Sequence, residues 1–562
     1  MRYNSPDRKW GVLMRRLKSC VFIGMILAIA SFAIAGEPVD LDAVTRIRDQ
    51  GFRHSEVMDI AWHLTEGVGP RLTGSAQELE AHEWAKATFA EWGMKSWLED
   101  YEFGRGWAME RTQVRMLSPY VQPLEALPNA WAPGTEGPVR GTVVRATLKS
   151  PEDLEKWTGK LSGMIVLLED ASEPKQIDDE LFERLNDEDL EELAQYDIPS
   201  DRRSEWRKRM LKRFKFWKRL AAFLEEEGVL ATIEPSSRDN GLVRVTGNRS
   251  NREGDRPLGV PALTMTTEHY NRLVRMLDRE IEPELEIDVA VRWFEDEGKA
   301  YNTVADFPGS DLADQTVMVG GHLDSWHSGT GATDNGANCA VVMEALRIIQ
   351  ASGLQPRRTI RAALWSGEEQ GYMGSREYVK RHLATRPETT DPEQLALPTF
   401  AREQTWPIQP LAEHATISAY FNIDNGGGRI RGIYAQENAA VVPIFKAWLE
   451  PFADLGAETI TMKNTGGTDH QPFDWVGIPA FQFIQDEMDY MGRTHHTNVD
   501  TYDHLDADDL KQSAVILASF IWHAANRDEP LPRKPMPTEP EKKPESESPP
   551  DRPASQPAES AD

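Results

Sequence analysis

The chain has 562 residues, 40% of them hydrophobic, and a formal net charge of −28. That length is too great for one simple core and points to two domains plus tails. So acidic a balance argues against a nucleic-acid binder and suits a protein that repels copies of itself in solution.

The first 35 residues have the layout of an export signal. Arg2, Arg8, Lys9, Arg15, Arg16 and Lys18 precede an apolar run over residues 21–35, and Ala33-Ile34-Ala35 offers a small-x-small cleavage site. An uncleaved signal anchor is the alternative, since the run is only slightly short for a span. Cys20 lies ahead of the apolar run, so a lipoprotein anchor is not expected. After cleavage Cys339 is the only cysteine. No intrachain disulfide is then available, and stability must come from packing and bound metal.

Residues 41–91 show helical periodicity on both sides of a turn-rich loop, Gly69-Pro70-Arg71-Leu72-Thr73-Gly74-Ser75. Residues 96–103 alternate as a strand. From Pro119 the texture changes to Pro-punctuated, β-rich pieces, and residues 118–292 read as a separate lobe set into the chain. Within it a charged insert spans about 172–219, acidic first and then basic. Trp206, Met210, Phe214, Trp217, Ala221 and Leu224 keep one helical stripe, which predicts a helix packed on its own domain with the acidic stretch as its charge partner. A membrane-surface or partner-binding helix is the alternative. Residues 529–562 hold 10 Pro among charged and small residues and are expected to be a disordered tail.

Residues 316–371 organise the remainder. The apolar run Thr316-Val317-Met318-Val319 delivers Gly321-His322-Leu323-Asp324, a Gly- and Ser-rich loop reaches Thr333-Asp334-Asn335-Gly336, and a second apolar run ends in Ser366-Gly367-Glu368-Glu369. Strand and helix then alternate, with strands over 417–423 and 478–484. This predicts an α/β domain whose mixed, largely parallel sheet is sandwiched by helices. His322, Glu369 and Asp424 fall at the carboxyl ends of strands, where such sheets gather ligands, and Asp334 and His496 lie in loops leaving that edge. Singly, each has a bland reading as a turn, solvated face or surface loop. Jointly, two His, two Asp and one Glu suit a hydrolytic site for one or two divalent ions with open positions. If Asp334 bridges, the expected pairing is His322 with Glu369 on one ion and Asp424 with His496 on the other. Glu368 is placed as general base for a metal-bridged water, and Asp324 as the carboxylate that fixes the His322 imidazole.

Gly321-His322-Leu323-Asp324-Ser325-Trp326, Thr333-Asp334-Asn335-Gly336-Ala337, Leu364-Trp365-Ser366-Gly367-Glu368-Glu369-Gln370-Gly371 and His496-Thr497 with Asp500-Thr501 resemble the co-catalytic dizinc aminopeptidase family, with greatest similarity to the plasma glutamate carboxypeptidase (carboxypeptidase Q) branch. The loop 69–75 also matches. The resemblance covers most of residues 45–527. It implies a zinc-exopeptidase-like domain over 36–117 and 293–528, with a protease-associated-like lobe at 118–292. It also implies two Zn2+, other divalent ions being open, with His322, Asp334, Glu369, Asp424 and His496 as ligands and Glu368 as base. His496 is favoured over His495 because the family's ligand precedes Thr or Ser. Thr468-Asp469-His470 resembles a family element near the active site, leaving His470 either a substrate contact or part of a structural loop. The long charged insert and the Pro-rich tail depart from the family pattern.

The expected protein is therefore an exported metallo-exopeptidase acting next to a free N-terminus, as an aminopeptidase or dipeptidase. Its partners are a peptide or dipeptide, with no nucleic acid and no membrane span after signal cleavage, and with a homodimer left open. Two rivals are a glutaminyl-cyclase-like transferase with a single metal and no inserted lobe, and a transferrin-receptor-like binding protein with degraded ligands.

Overall fold

The computed structural model describes residues 36–173, 180–196, 203–245, 247, 252, 258–294, 298–395, 397 and 401–540, with residues 203–214 as backbone only. The expected export signal at 1–35 lies outside the described residues.

Helices α1 (Leu41–Arg53) and α2 (Ala76–Glu91) open the chain. Each begins at a residue, Asp40 or Ser75, whose side chain accepts a first-turn backbone N–H. The first sheet has eight strands: β1 (Lys95–Glu102), β2 (Lys299–Phe307), β3 (Leu312–His322), β4 (Arg358–Trp365), β5 (Ile417–Asn422), β6 (Ile430–Tyr434), β7 (Thr459–Thr461) and β8 (Ala480–Gln485). Their spatial order is β1-β2-β4-β3-β5-β8-β6-β7. The four central strands β4, β3, β5 and β8 run parallel. β1, β2 and β6 join antiparallel, so the parallel character belongs to the centre.

Burial on both faces explains the unbroken apolar runs. Val317 and Val319 of β3 share a core with helices α3 (Ala337–Ala351) and α4 (Ala507–Asn526) on one face, and Met318 faces Trp365, Tyr420 and Phe473 on the other. Cys339 on α3 is fully buried and its thiol donates to the His322 carbonyl (2.9 Å), the small packed role its position implied.

His382, in the π-helical turn Val379–Leu383, lies 3.0 Å from Glu99 of β1, and this hydrogen bond raises its pKa above the usual imidazole value. A raised folded pKa gives stability that is fully present below about pH 6.5 and lost as pH rises through the folded value. His382→Gln should therefore destabilise the protein at pH 6 and be nearly neutral at pH 9. Because the pair is partly exposed the effect is at most about 1 kcal/mol, read by denaturant titration at the two pH values.

The second eight-stranded sheet is built from residues 106–294. Its longest pairing joins Gly106–Ser118 to Glu284–Phe294, so the β-rich region begins about a dozen residues before the expected 118. It has its own core, including Val143, Ile165, Leu167, Ile233, Leu263 and Ile287.

The charged insert divides differently from expectation. Its basic part is the helix Arg203–Glu226, and Phe216, Leu220, Phe223 and Leu224 pack on Leu154, Leu161 and Val166 of the same region. Of the stripe, Trp206, Met210 and Phe214 lie where only the backbone is described. The acidic part contains the short helix Asp187–Ala194. It crosses to the first sheet: Arg184 binds Asp486 (3.1 Å) and Asp509 (2.6 Å), Arg431 binds the Leu185 carbonyl (2.7 Å), and Glu183 pairs through its backbone with Met488. Arg184 ties it there, joining Arg431 on Asp486 just past β8 and Arg429 on Asp509 in the first turn of α4, two fully buried carboxylates.

The expected tail also starts later than residue 529. Leu531 is 2% exposed and joins the first-sheet core, Arg533 donates to the carbonyls of His414 (2.8 Å) and Ile417 (2.6 Å), and Lys534 binds Asp474 (2.7 Å). Residues 541–562 lie outside the described residues. Leu531→Ala should cost about 2–4 kcal/mol through the cavity it leaves, measurable by chemical denaturation.

Candidate metal centre

Parallel pairing places His322 of β3 opposite Trp365 of β4, and Gly320 opposite Asn422 of β5, so three strands end at one edge. Past β4 the chain turns at Gly367, whose φ of +68° is a left-handed conformation open to glycine, and a Cβ there would lie 2.5 Å from the Tyr101 hydroxyl. That turn presents Glu368 and Glu369. Asp424 follows β5 by two residues, and Asp334 lies in the loop entering α3.

These side chains converge. His322 Nε2 is 3.3 Å from Asp334 Oδ1 and 3.3 Å from Asp424 Oδ1, while His496 Nε2 is 3.1 Å from Asp334 Oδ2 and 3.1 Å from Glu369 Oε2. Asp334 is common to both groups, as a bridge requires. The expected pairing is corrected: His322 goes with Asp424, and His496 with Glu369. The reason is reach. Asp424 stays beside β3 close to the sheet, whereas Glu369 stands four residues past β4, out where the 490–500 loop returns.

The donor set fits metal ions. Nitrogen and oxygen ligands about 2.0–2.2 Å from a tetrahedral zinc stand roughly 3.4 Å apart, close to the separations here. Asp334 Oδ2 and Glu369 Oε1 are buried without a directed hydrogen bond. Around them Asp324, Glu368, Asp469 and Asp500 are also buried, an excess of negative charge that calls for cations. Burial alone would lower the pKa of His322 and His496. Asp424, Asp324 and Asp334 instead raise His322 well above its usual value, and Glu369 and Asp334 bring His496 to about 10.

The surrounding hydrogen bonds hold the cage. His322 Nδ1 lies 2.9 Å from the backbone carbonyl of Asp324 and 3.5 Å from its carboxylate, so the carbonyl is the closer partner of the imidazole. The Asp324 carboxylate instead accepts the backbone N–H groups of Glu368 (3.2 Å) and Glu369 (3.3 Å) and the Thr73 hydroxyl (2.9 Å). Asp500 accepts from the Thr333 N–H (2.7 Å) and the Asp334 N–H (3.2 Å), fixing the bridge. Burial, then Asp334, push its carboxyl up to about 7. Trp326 Nε1 donates to Glu369 Oε2 (2.6 Å).

Glu368 is 8% exposed. Burial raises its pKa well above the carboxylate range; His322 opposes this, and Asp424, Glu369 and Asp469 add to it. His470 lies away from the cage. Its Nε2 is 2.7 Å from the Gln436 amide nitrogen and 3.2 Å from the Thr465 carbonyl, which are structural contacts. Its neighbour Asp469 is the member of that motif whose charge reaches Glu368, and it accepts from the Ser375 hydroxyl at 2.5 Å.

His495 is the weaker ligand candidate, 3.9 Å from Asp334 Oδ2 against 3.1 Å for His496. His496 has φ 63°, uncommon for a residue with a side chain, and this conformation aims its ring inward. His496→Ala should remove one metal equivalent and His495→Ala should remove none, read by elemental analysis of the purified variants.

Two features had no sequence reading. Arg71, fully buried, donates to the carbonyls of Leu64, Gly69, Leu323, Thr330 and Gly331 at 2.7–3.0 Å. Arg244, in the region carrying the second sheet, lies 3.2 Å from His496 Nδ1, with its backbone bridged to Thr497. An arginine in a turn-rich loop carries no signal of burial, and contact between distant segments carries none at all.

An α/β sheet whose strand ends gather a His/Asp/Glu cage around a shared carboxylate is an arrangement able to hold divalent ions. Residues 302–521 match peptidase family M28. Carboxypeptidase Q of Bos taurus is 29% identical over 274 residues, covering 49% of this chain and 52% of that protein. Leupeptin-inactivating enzyme 1 of Streptomyces exfoliatus is 29% identical, covering 40% of this chain and 48% of that protein. The chain thus spans about half the length of the curated relatives it matches. A solved peptidase M28 precursor from Shewanella amazonensis SB2B superposes with a TM-score of 0.60 at 26% identity, covering 89% of this chain and 99% of that one. BSAP, a zinc aminopeptidase from Bacillus subtilis, shares the fold at a TM-score of 0.53 and 16% identity, covering 84% of this chain and 95% of that one.

Proposed function

We propose that the chain is an exported exopeptidase that hydrolyses the peptide bond next to a free N-terminus, as an aminopeptidase or dipeptidase. The observation that carries this reading is the cage in which Asp334 is shared by His322 with Asp424 and by His496 with Glu369. These five residues would hold two divalent ions, zinc by family resemblance. Such ions supply Lewis acidity toward the scissile carbonyl and lower the pKa of water.

The chain's own residues do the rest. Glu368 takes the proton from the attacking water and passes it to the leaving amine nitrogen, and its burial among carboxylates makes it a ready proton carrier. Asp324 orients that carboxylate through the Glu368 and Glu369 backbone. Asp500 and the Asp324 carbonyl keep Asp334 and His322 in position. The region carrying the second sheet, read as a protease-associated-like lobe, borders the site through Arg244. Export rests on the signal-like first 35 residues. Among the described residues no helix is long and apolar enough to cross a membrane.

Metal analysis of the purified protein, beside release assays on amino-acid p-nitroanilides, dipeptides and N-acetylated dipeptides, tests this. The expected result is two metal equivalents and hydrolysis that stops when the amine is acetylated. Active protein free of divalent metal, or equal turnover of acetylated substrates, would overturn it.

A further inference from the structure

The acidic segment leaves the second-sheet region, crosses to the first sheet and ends beside the cage. There it lines part of an open cavity of about 330 Å³. Its lining includes Asn425, next to the proposed ligand Asp424, and Tyr490, whose hydroxyl feels the charges of Asp334, Asp424 and Glu369. Leu185 and Leu193 of the acidic segment line it as well, with Tyr434 and Ile484. Apolar walls of this kind accept a long aliphatic stem.

The charges at its edge are not balanced. Arg184 is spent on Asp486 and Asp509, and Lys463 donates to the Glu192 carbonyl (3.1 Å). The Asp189 carboxylate caps its own helix by accepting from the Asn186 N–H (2.8 Å). Glu183 and Glu487 line the same cavity, and among the described residues no cation lies within ion-pair distance of either. The two acidic groups act on each other: partial burial and the Glu183 charge both push the Glu487 carboxyl up.

We propose that residues 183–193 form one wall of a substrate side-chain pocket, and that the pocket selects a long side chain with a positive end, as in lysine or arginine, on a residue flanking the scissile bond. This rests on the peptidase reading above. The stem lies along Leu185, Leu193 and Tyr490, and the ammonium or guanidinium meets Glu183 and Glu487. The wall is anchored apart from those carboxylates, because Glu183 pairs with Met488 through backbone bonds of 2.7 and 2.8 Å. Substituting the two side chains therefore removes charge and keeps the wall.

The test pairs lysine with norleucine, which has the same stem and no charge. The full-length, metal-loaded protein is assayed on lysyl- and norleucyl-p-nitroanilide and on Ala-Lys and Ala-norleucine, and binding of lysinamide and norleucinamide is measured by calorimetry. The expected result is a lysine preference of at least fivefold in kcat/KM in one of the two series, falling below twofold in the Glu183→Gln/Glu487→Gln double variant. Turnover with no lysine preference, or a preference that survives the double variant, overturns the pocket. Absence of turnover on every peptide overturns the peptidase reading instead, and calorimetry then decides the pocket. Tighter lysinamide binding that the double variant abolishes upholds it, and equal binding of the two amides overturns it.

Discussion

Replacing Glu368 with glutamine is expected to lower kcat by about a hundred- to ten-thousandfold while metal content and melting temperature stay near those of the parent. The amide keeps the shape of the carboxyl, and the backbone N–H groups of Glu368 and Glu369 remain bound to Asp324. Only the ability to take a proton from water is lost. Stability should not suffer, because Glu368 is a buried acid crowded by Asp424, Glu369 and Asp469, and a neutral side chain relieves that repulsion. The comparison variant is Glu369→Gln, which should lose metal as well as rate, since Glu369 belongs to the cage with His496. Parent-like kcat in Glu368→Gln, with both metal equivalents bound, would remove Glu368 from the proton path.

How much of this was legible in the sequence follows from which forces act locally. The parallel centre of the first sheet could be read because both faces of β3 and β4 are buried, which forces unbroken apolar runs such as Val317-Met318-Val319. The convergence of His322, Asp334, Glu369, Asp424 and His496 could be read because a parallel sheet sends its strand ends to one edge. Their pairing could not. Whether His322 meets Asp424 or Glu369 depends on how far each turn carries its carboxylate past the strand, a matter of a few ångströms that spacing along the chain does not encode. The contacts of the acidic stretch with the first sheet could not be read for a related reason. Charge complementarity pointed to the basic helix beside it in sequence, but Asp486 and Asp509 are fully buried and Arg184 answers them, and desolvated charges outweigh exposed ones. The start of the tail was missed because composition averages over a segment, and one well-placed Leu531 with Arg533 and Lys534 is enough to dock its first residues.

Arg71 carries the second large expectation. Arg71→Ala should destabilise the domain of the first sheet by about 5 kcal/mol or more, and Arg71→Lys should recover little of it. The guanidinium lies fully buried and satisfies five backbone carbonyls, from Leu64 and Gly69 on one segment and Leu323, Thr330 and Gly331 on another. Leaving a buried carbonyl without its donor costs about 1–3 kcal/mol, so losing several at once exceeds the stability of many domains. The charge matters as well, since Asp500, Asp324 and Asp334 all act on it, and removing this cation would leave their negative charge less balanced. An ammonium restores the charge but has three donors on a single atom, and it cannot reach carbonyls spread around a planar fork. Gly331 and Leu323 flank the loop that carries Asp334, so the loss should spread to the cage. Partially folded Arg71→Ala protein should bind less metal at any given free-ion concentration. Thermal unfolding with and without added zinc separates the two effects, because ions that bind only the folded cage raise the midpoint by mass action. An Arg71→Ala protein that melts within a few degrees of the parent and binds metal equally would show that the five carbonyls find other donors, and that the N-terminal loop is not what holds the bridge in place.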